Sequence, residues 1–145
     1  MPGDELPAPA RQAPVRVVIV DDSTLFRQTA RDLLERRGFH VVGEANGVAS
    51  GLGAVAGLSP DAVLLDMRLP DGSGLDLCEL LTRKEGAPAV LLVSSDGAAD
   101  RALAETHGAR GTVSKADLAN VDLHAIWDRR GPTTWSPQGR LPRRR

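Results

Sequence analysis

The sequence predicts a doubly wound α/β domain, a five-stranded parallel sheet with helices on both faces. Three segments carry that expectation: VRVVIVDDS at Val15 to Ser23, VLLDMRLPDG at Val63 to Gly72, and VLLVSSD at Val90 to Asp96. Each is an apolar, β-branched-rich run that stops at carboxylates or hydroxyls, the pattern of a buried parallel strand whose carboxyl end opens onto a site. Helical spacing fills the stretches between them, and strands alternating with helices imply right-handed crossovers.

In chain order, Val15 to Val20 is the first strand. Leu25, Phe26, Thr29, Ala30, Leu33 and Leu34 recur at helical spacing from Thr24 to Arg37, with Ser23 as cap and Gly38 as stop. Phe39 to Glu44 is a second strand, polar enough for a sheet edge. Val48 to Leu58 forms a helix weakened by Gly51, Gly53 and Gly57, each costing about 1 kcal/mol relative to alanine. Ala62 to Leu65 is a third strand ending at Asp66, and the loop Met67 to Gly74 feeds a helix with Leu75, Leu77, Leu80 and Leu81. Ala89 to Val93 is the fourth strand, Ala98 to Thr106 a small-residue helix, and Gly111 to Val113 the fifth strand. One helix from Asp117 to about Asp128 closes the domain with Leu118, Val121, Ile126 and Trp127.

The chain has 145 residues, the size of one domain, and contains no run of 18 apolar residues to span a membrane. Its start, MPGDELPAPA, is acidic and proline-rich rather than apolar, so it does not read as a secretory signal and the protein reads as cytoplasmic. Cys78, the sole cysteine, lies between Leu77 and Leu80 and reads as a buried structural thiol. Charge is divided unevenly. Residues 15 to 128 hold 17 acids against 11 Lys and Arg, whereas residues 129 to 145 hold six arginines and no acid. The domain therefore reads as residues 15 to 128, between a disordered lead-in (1 to 14) and a disordered basic tail (129 to 145). That tail is either a solvated extension or a salt-sensitive contact with an acidic partner, the domain's own acidic surface or, less favoured without a recognition helix or aromatic platform, nucleic acid.

Ligands of open doubly wound sheets bind outside the carboxyl ends of the strands. Asp21 and Asp22 leave the first strand there and Asp66 leaves the third, and those strands are expected to be neighbours. Three converging carboxylates repel one another and are costly to desolvate unless a cation joins them, and a hard ion such as Mg²⁺ takes oxygen ligands while leaving room for a phosphate oxygen. Ser94 and Lys115, after the fourth and fifth strands, can supply a hydroxyl and a positive charge. Taken singly, each Asp reads as a turn or cap, Ser94 as a loop hydroxyl and Lys115 as a surface charge. Their common placement at one edge of the sheet favours a shared site.

The Asp21-Asp22 pair, Asp66 followed by Pro70 and Gly74, Ser94, and Lys115 in GTVSKADL resemble in order and spacing the receiver domain of two-component response regulators, over about Val15 to Trp127. The resemblance implies a flavodoxin-like strand order 2-1-3-4-5 and a phosphoryl acceptor at Asp66. It implies Mg²⁺ held by Asp22, Asp66 and the backbone carbonyl of Arg68, with Asp21 assisting through water, and phosphoryl oxygens held by Ser94 and Lys115. The implied donor is a sensor histidine kinase or phosphotransfer protein, and the implied recipient an unidentified downstream protein. Such a domain accepts a phosphoryl group and is not otherwise an enzyme, beyond autocatalytic transfer and slow self-dephosphorylation. Arg68 and Asp96 are expected to pair at the pocket mouth and influence hydrolysis.

Two features depart from the family pattern. Thr112 stands where members usually carry Tyr or Phe, and nothing after Trp127 reads as a DNA-binding helix-turn-helix, so a stand-alone receiver without a DNA-binding domain is expected. Among competing readings, a flavin carrier lacks its phosphate loop, because two acids follow the first strand and no aromatic residue is expected near the strand ends. A haloacid-dehalogenase-like phosphatase requires a second Asp two residues after the nucleophile, where Arg68 stands. The remaining alternative is a receiver-like module that binds protein without phosphorylation.

Overall fold

In the computed structural model, which describes residues 13–95 and 101–128, the first strand β1 (Arg16–Val20) has four fully buried residues in succession. Val17 and Ile19 enter the core on one face of the sheet and Val18 and Val20 the core on the other, so β1 has no solvent side. It pairs in parallel with β2 (His40–Ala45) and β3 (Ala62–Asp66). A small antiparallel ladder, β4 (Arg68–Leu69) with β5 (Gly72–Ser73), follows β3. The strands β6 (Ala89–Ser94) and β7 (Gly111–Ser114) complete a five-stranded sheet in the order β2-β1-β3-β6-β7. With the β4–β5 ladder set aside, this is the expected order 2-1-3-4-5, and β2 is the edge that its polarity indicated.

One face carries α1 (Thr24–Arg36), a 3₁₀ helix (Lys115–Asn120) and α5 (Leu123–Ile126), through Ala30, Leu34, Leu118, Leu123, Ile126 and Trp127. The other carries α2 (Val48–Leu58), α3 (Gly74–Thr82) and α4 (Arg101–Thr106), through Leu77, Cys78, Leu81 and Ala104. Ser23 caps α1 by accepting from the Phe26 amide at 3.1 Å, and Gly38, at φ +92°, ends that turn as expected. Leu25 departs from its expected role: it lies off the stripe that faces the sheet and is 73% exposed.

The C-terminal segment also differs from the sequence expectation of one helix. It is a 3₁₀ helix, an extended Val121 (ψ 157°) and the four-residue α5. Ser114 caps the first piece by accepting from Asp117 N at 3.2 Å, and Asp122 caps the second by accepting from Ala125 N at 3.1 Å. Arg37 donates to the carbonyls of Ala119 and Val121, which a continuous helix would have used itself. Trp127 is buried, meeting Phe39 edge-on at 5.3 Å, while His124 stacks on Phe39 at 4.2 Å. The lead-in 1–12, Asp96, the expected helix start at Ala98 and the tail 129–145 lie outside the described residues.

The three helical glycines of α2 are not equivalent. At Gly51 a Cβ would stand 3.1 Å from both Leu77 and Val20, so glycine lets the helix approach the sheet and α3. At Gly53 and Gly57 a Cβ would meet nothing within 4 Å. Gly53→Ala and Gly57→Ala are each expected to raise unfolding free energy by about 0.5 to 1 kcal/mol in urea denaturation, through the lower entropy of the unfolded chain. A loss of stability in either variant would contradict that account of α2.

Candidate functional site

The site is assembled by strand ends. The Asp21 amide donates to Ala45 O at 3.0 Å, extending the pairing of β1 by one bond and carrying Asp21 into the interior, where it is 0% exposed. Its Oδ1 accepts from Ser23 N at 2.8 Å, and the neighbouring Asp22 stands exposed at the rim. Asp66, at the end of β3, is buried, and its Oδ1 accepts from Arg68 N at 3.3 Å. The chain beyond it is pinned by Met67 N donating to Val93 O at 2.9 Å and Gly74 N donating to Met67 O at 2.8 Å. A Cβ at Gly74 would overlap the Asp66 carbonyl oxygen, so only glycine lets α3 begin this close to the Asp66 backbone.

Ser94 is the buried last residue of β6, in register with Ser114, and Lys115 follows β7 directly. The Lys115 ammonium lies 2.7 Å from Asp21 Oδ2 and 3.5 Å from Asp66 Oδ2. Oxygens of Asp21, Asp22 and Asp66 lie within 4.8 Å of one another. Above them opens a cavity of about 450 Å³ lined by Asp22, Ser23, Asp66, Met67, Arg68, Ser94, Ser95 and Lys115. All six residues singled out from the sequence are therefore gathered at one place.

Burial raises the Asp66 carboxyl above its ordinary pKa, the Arg68 amide opposes that shift, and the neighbouring Asp21 adds to it. Burial works to deprotonate Lys115, but Asp21 and then Asp66 outweigh it, so the pKa of the ammonium is raised. One ammonium faces three carboxylates, leaving a negative excess built from hard oxygen donors. That donor set fits a divalent cation of the Mg²⁺ type.

Other residues at the site escaped the sequence reading. The Phe26 ring lies 4.4 Å beneath the Lys115 ammonium, a cation–π contact that corrects the expectation of no aromatic residue near the strand ends. Asp71, in the turn between β4 and β5, accepts from Val48 N at 2.7 Å and Ala49 N at 3.1 Å, which lowers its pKa and fastens the Asp66 loop to the start of α2. The Thr112 hydroxyl is enclosed without a hydrogen-bond partner. The Cys78 thiol, pushed up to about 12 by burial, is the inert structural group expected. Among the described residues no helix is long and apolar enough to cross a membrane.

The geometry agrees with what comparison with known proteins finds. The response regulator receiver domain model matches residues 17–126, and the chain belongs to that family. It is 41% identical to the DNA-binding transcriptional activator DevR/DosR of Mycobacterium tuberculosis, over 75% of this chain and 51% of that protein. It is 35% identical to a protein-glutamate methylesterase/protein-glutamine glutaminase of Archaeoglobus fulgidus, over 77% of this chain and 33% of that one. The chain thus spans a third to a half of these two relatives. The structure of the signal receiver domain of the putative response regulator NarL from M. tuberculosis superposes with a TM-score of 0.69 at 32% identity, over 81% of this chain and 96% of that one.

A carboxyl whose pKa is raised by folding binds its proton more tightly folded than unfolded. It therefore costs stability as pH rises above the unfolded value. Asp66→Asn is expected to resist denaturant better than wild type at pH 7 without Mg²⁺, by a margin that shrinks as pH falls toward the ordinary Asp value of about 4. Equal midpoints at pH 7, or a margin that grows in acid, would contradict the assignment of strain to Asp66.

Proposed function

We propose that this receiver takes a phosphoryl group onto Asp66 from a sensor histidine kinase or phosphotransfer protein, and passes the signal to a downstream protein through a phosphorylation-dependent change of shape. The observation that carries this reading is the contrast among the three acids. Asp21 is sealed in and engaged at both oxygens, Asp22 stands at the rim, and Asp66 lines the cavity with an amide at one oxygen and an ammonium near the other. Asp66 is the carboxylate placed to attack.

In that reaction an Asp66 oxygen forms a bond to phosphorus as the donor's phosphorus–nitrogen bond breaks, and the imidazole leaves with the electron pair. Such transfer depends on positioning and charge neutralisation more than on covalent help. Asp22, Asp66 and the Arg68 carbonyl would hold Mg²⁺, with Asp21 acting through water. When bound, the ion offsets charge on the phosphoryl oxygens. Lys115 supplies the protein's own positive charge to the same oxygens, and Ser94 donates its hydroxyl. A phosphorylated Asp66 carries more charge and more acceptors, which draws Ser94 and its loop toward it. Thr112 gives this chain no ring to turn in response, so the change of shape starts from Ser94 rather than from an aromatic side chain.

Incubation of wild type with acetyl phosphate and Mg²⁺ is expected to add one labile phosphoryl group by intact mass. Asp66→Asn and chelator-treated wild type are expected to remain unlabelled. Equal labelling of wild type and Asp66→Asn would overturn the acceptor assignment, and an unlabelled wild type would favour a receiver that works by phosphorylation-independent binding.

A further inference from the structure

Arg27 sits one residue beyond Phe26 on α1 and turns under the site rather than into its cavity. Its NH1 donates to the backbone carbonyl of Asp21 at 2.6 Å, and its Nε donates to Glu44 Oε1 at 2.9 Å. The other Glu44 oxygen is taken by Arg31 at 2.8 Å. Burial alone would raise the Glu44 carboxyl, yet the two guanidinium groups win and hold it below the ordinary range. Glu44 lies on the edge strand β2, so Arg27 ties that strand to the peptide leaving β1.

The carbonyl it holds belongs to the peptide joining Asp21 to Asp22. Because a peptide unit is planar, fixing that oxygen fixes the direction in which Asp22 departs. Asp21 needs little such help, being clamped by Ala45 O, Ser23 N and Lys115. Asp22 is the exposed member of the cluster. We infer that Arg27, oriented by Glu44, is a positioning residue that aims Asp22 at the divalent cation without touching it. This inference rests on the Mg²⁺-dependent phosphoryl-acceptor reading above.

Two roles for Arg27 give effects of opposite sign. A guanidinium acting only through its charge repels a cation, so its removal would tighten Mg²⁺ binding. A guanidinium that positions Asp22 does the reverse. Mg²⁺ titration of the full chain by calorimetry is therefore expected to show Arg27→Met binding about tenfold more weakly than wild type, the range in which supporting residues of metal sites act. Arg31→Met, which also strips a guanidinium from Glu44 but leaves the Asp21 carbonyl held, is expected to bind as wild type does. Arg27→Lys, which keeps the charge with a single nitrogen donor, is expected to fall between, and it carries the comparison if Arg27→Met fails to fold. Without metal, the amides of Asp22 and Ser23 are expected to exchange hydrogen faster in Arg27→Met than in Arg31→Met. Unchanged or tighter binding by Arg27→Met, or equal weakening in Arg31→Met, would overturn this inference while leaving the acceptor reading intact. Absence of Mg²⁺ binding by wild type would overturn both.

Discussion

One ammonium among three carboxylates is the constraint on which the rest of the structure depends. Asp21 has no access to solvent, and a buried carboxylate is tolerated only when paired and hydrogen-bonded. Lys115 provides the pairing, at 2.7 Å, and can do so only because β7 ends at the same edge of the sheet as β1 and β3. The parallel sheet is thus the device that brings distant residues to one point. Its cost is an unbalanced negative charge at that point, held on hard oxygen donors of the kind that fit a divalent cation.

Support for the cluster comes from both layers of helices. On one face, α1 sends Phe26 beneath the ammonium and Arg27 beneath the Asp21–Asp22 peptide. On the other, Gly74 lets α3 start against the Asp66 carbonyl, and Asp71 fastens the same loop to α2. The loop after Asp66 is therefore held at both ends by helices that do not themselves contribute a ligand. Two short connections thus tie the loop after Asp66 to α2 and α3.

Much of this was legible in the sequence, for a physical reason. Strands buried on both faces read as unbroken apolar runs, and the abrupt polarity at Asp21, Asp66 and Ser94 marks where they leave the core. Fold class and the gathering of the site residues follow from those runs and their alternation with helices, whereas the full strand order is implied by the resemblance to receiver domains. What the sequence hid depends on partners far away in the chain. The break in the C-terminal helix is enforced by Arg37, 84 residues from Val121, and Asp71 caps a helix whose first residues lie 23 and 22 positions before it. Phe26 reads as one more apolar position of the first helix, and Arg27 carries no signal of its own in the sequence. Only the docking of α1 against β1 and β2 shows one beneath Lys115 and the other beneath Asp21.

The central claim is that the folded state carries a negative excess which a divalent cation relieves, and linkage between metal binding and folding measures this directly. Unfolding of the full chain in denaturant, repeated over a range of Mg²⁺ concentrations at fixed ionic strength and pH 7, reports that linkage. The account predicts that stability climbs by about 1.4 kcal/mol for each tenfold rise in Mg²⁺ above its dissociation constant, since the ion binds the assembled carboxylates and not the unfolded chain. Stability that stays flat across that range would contradict it.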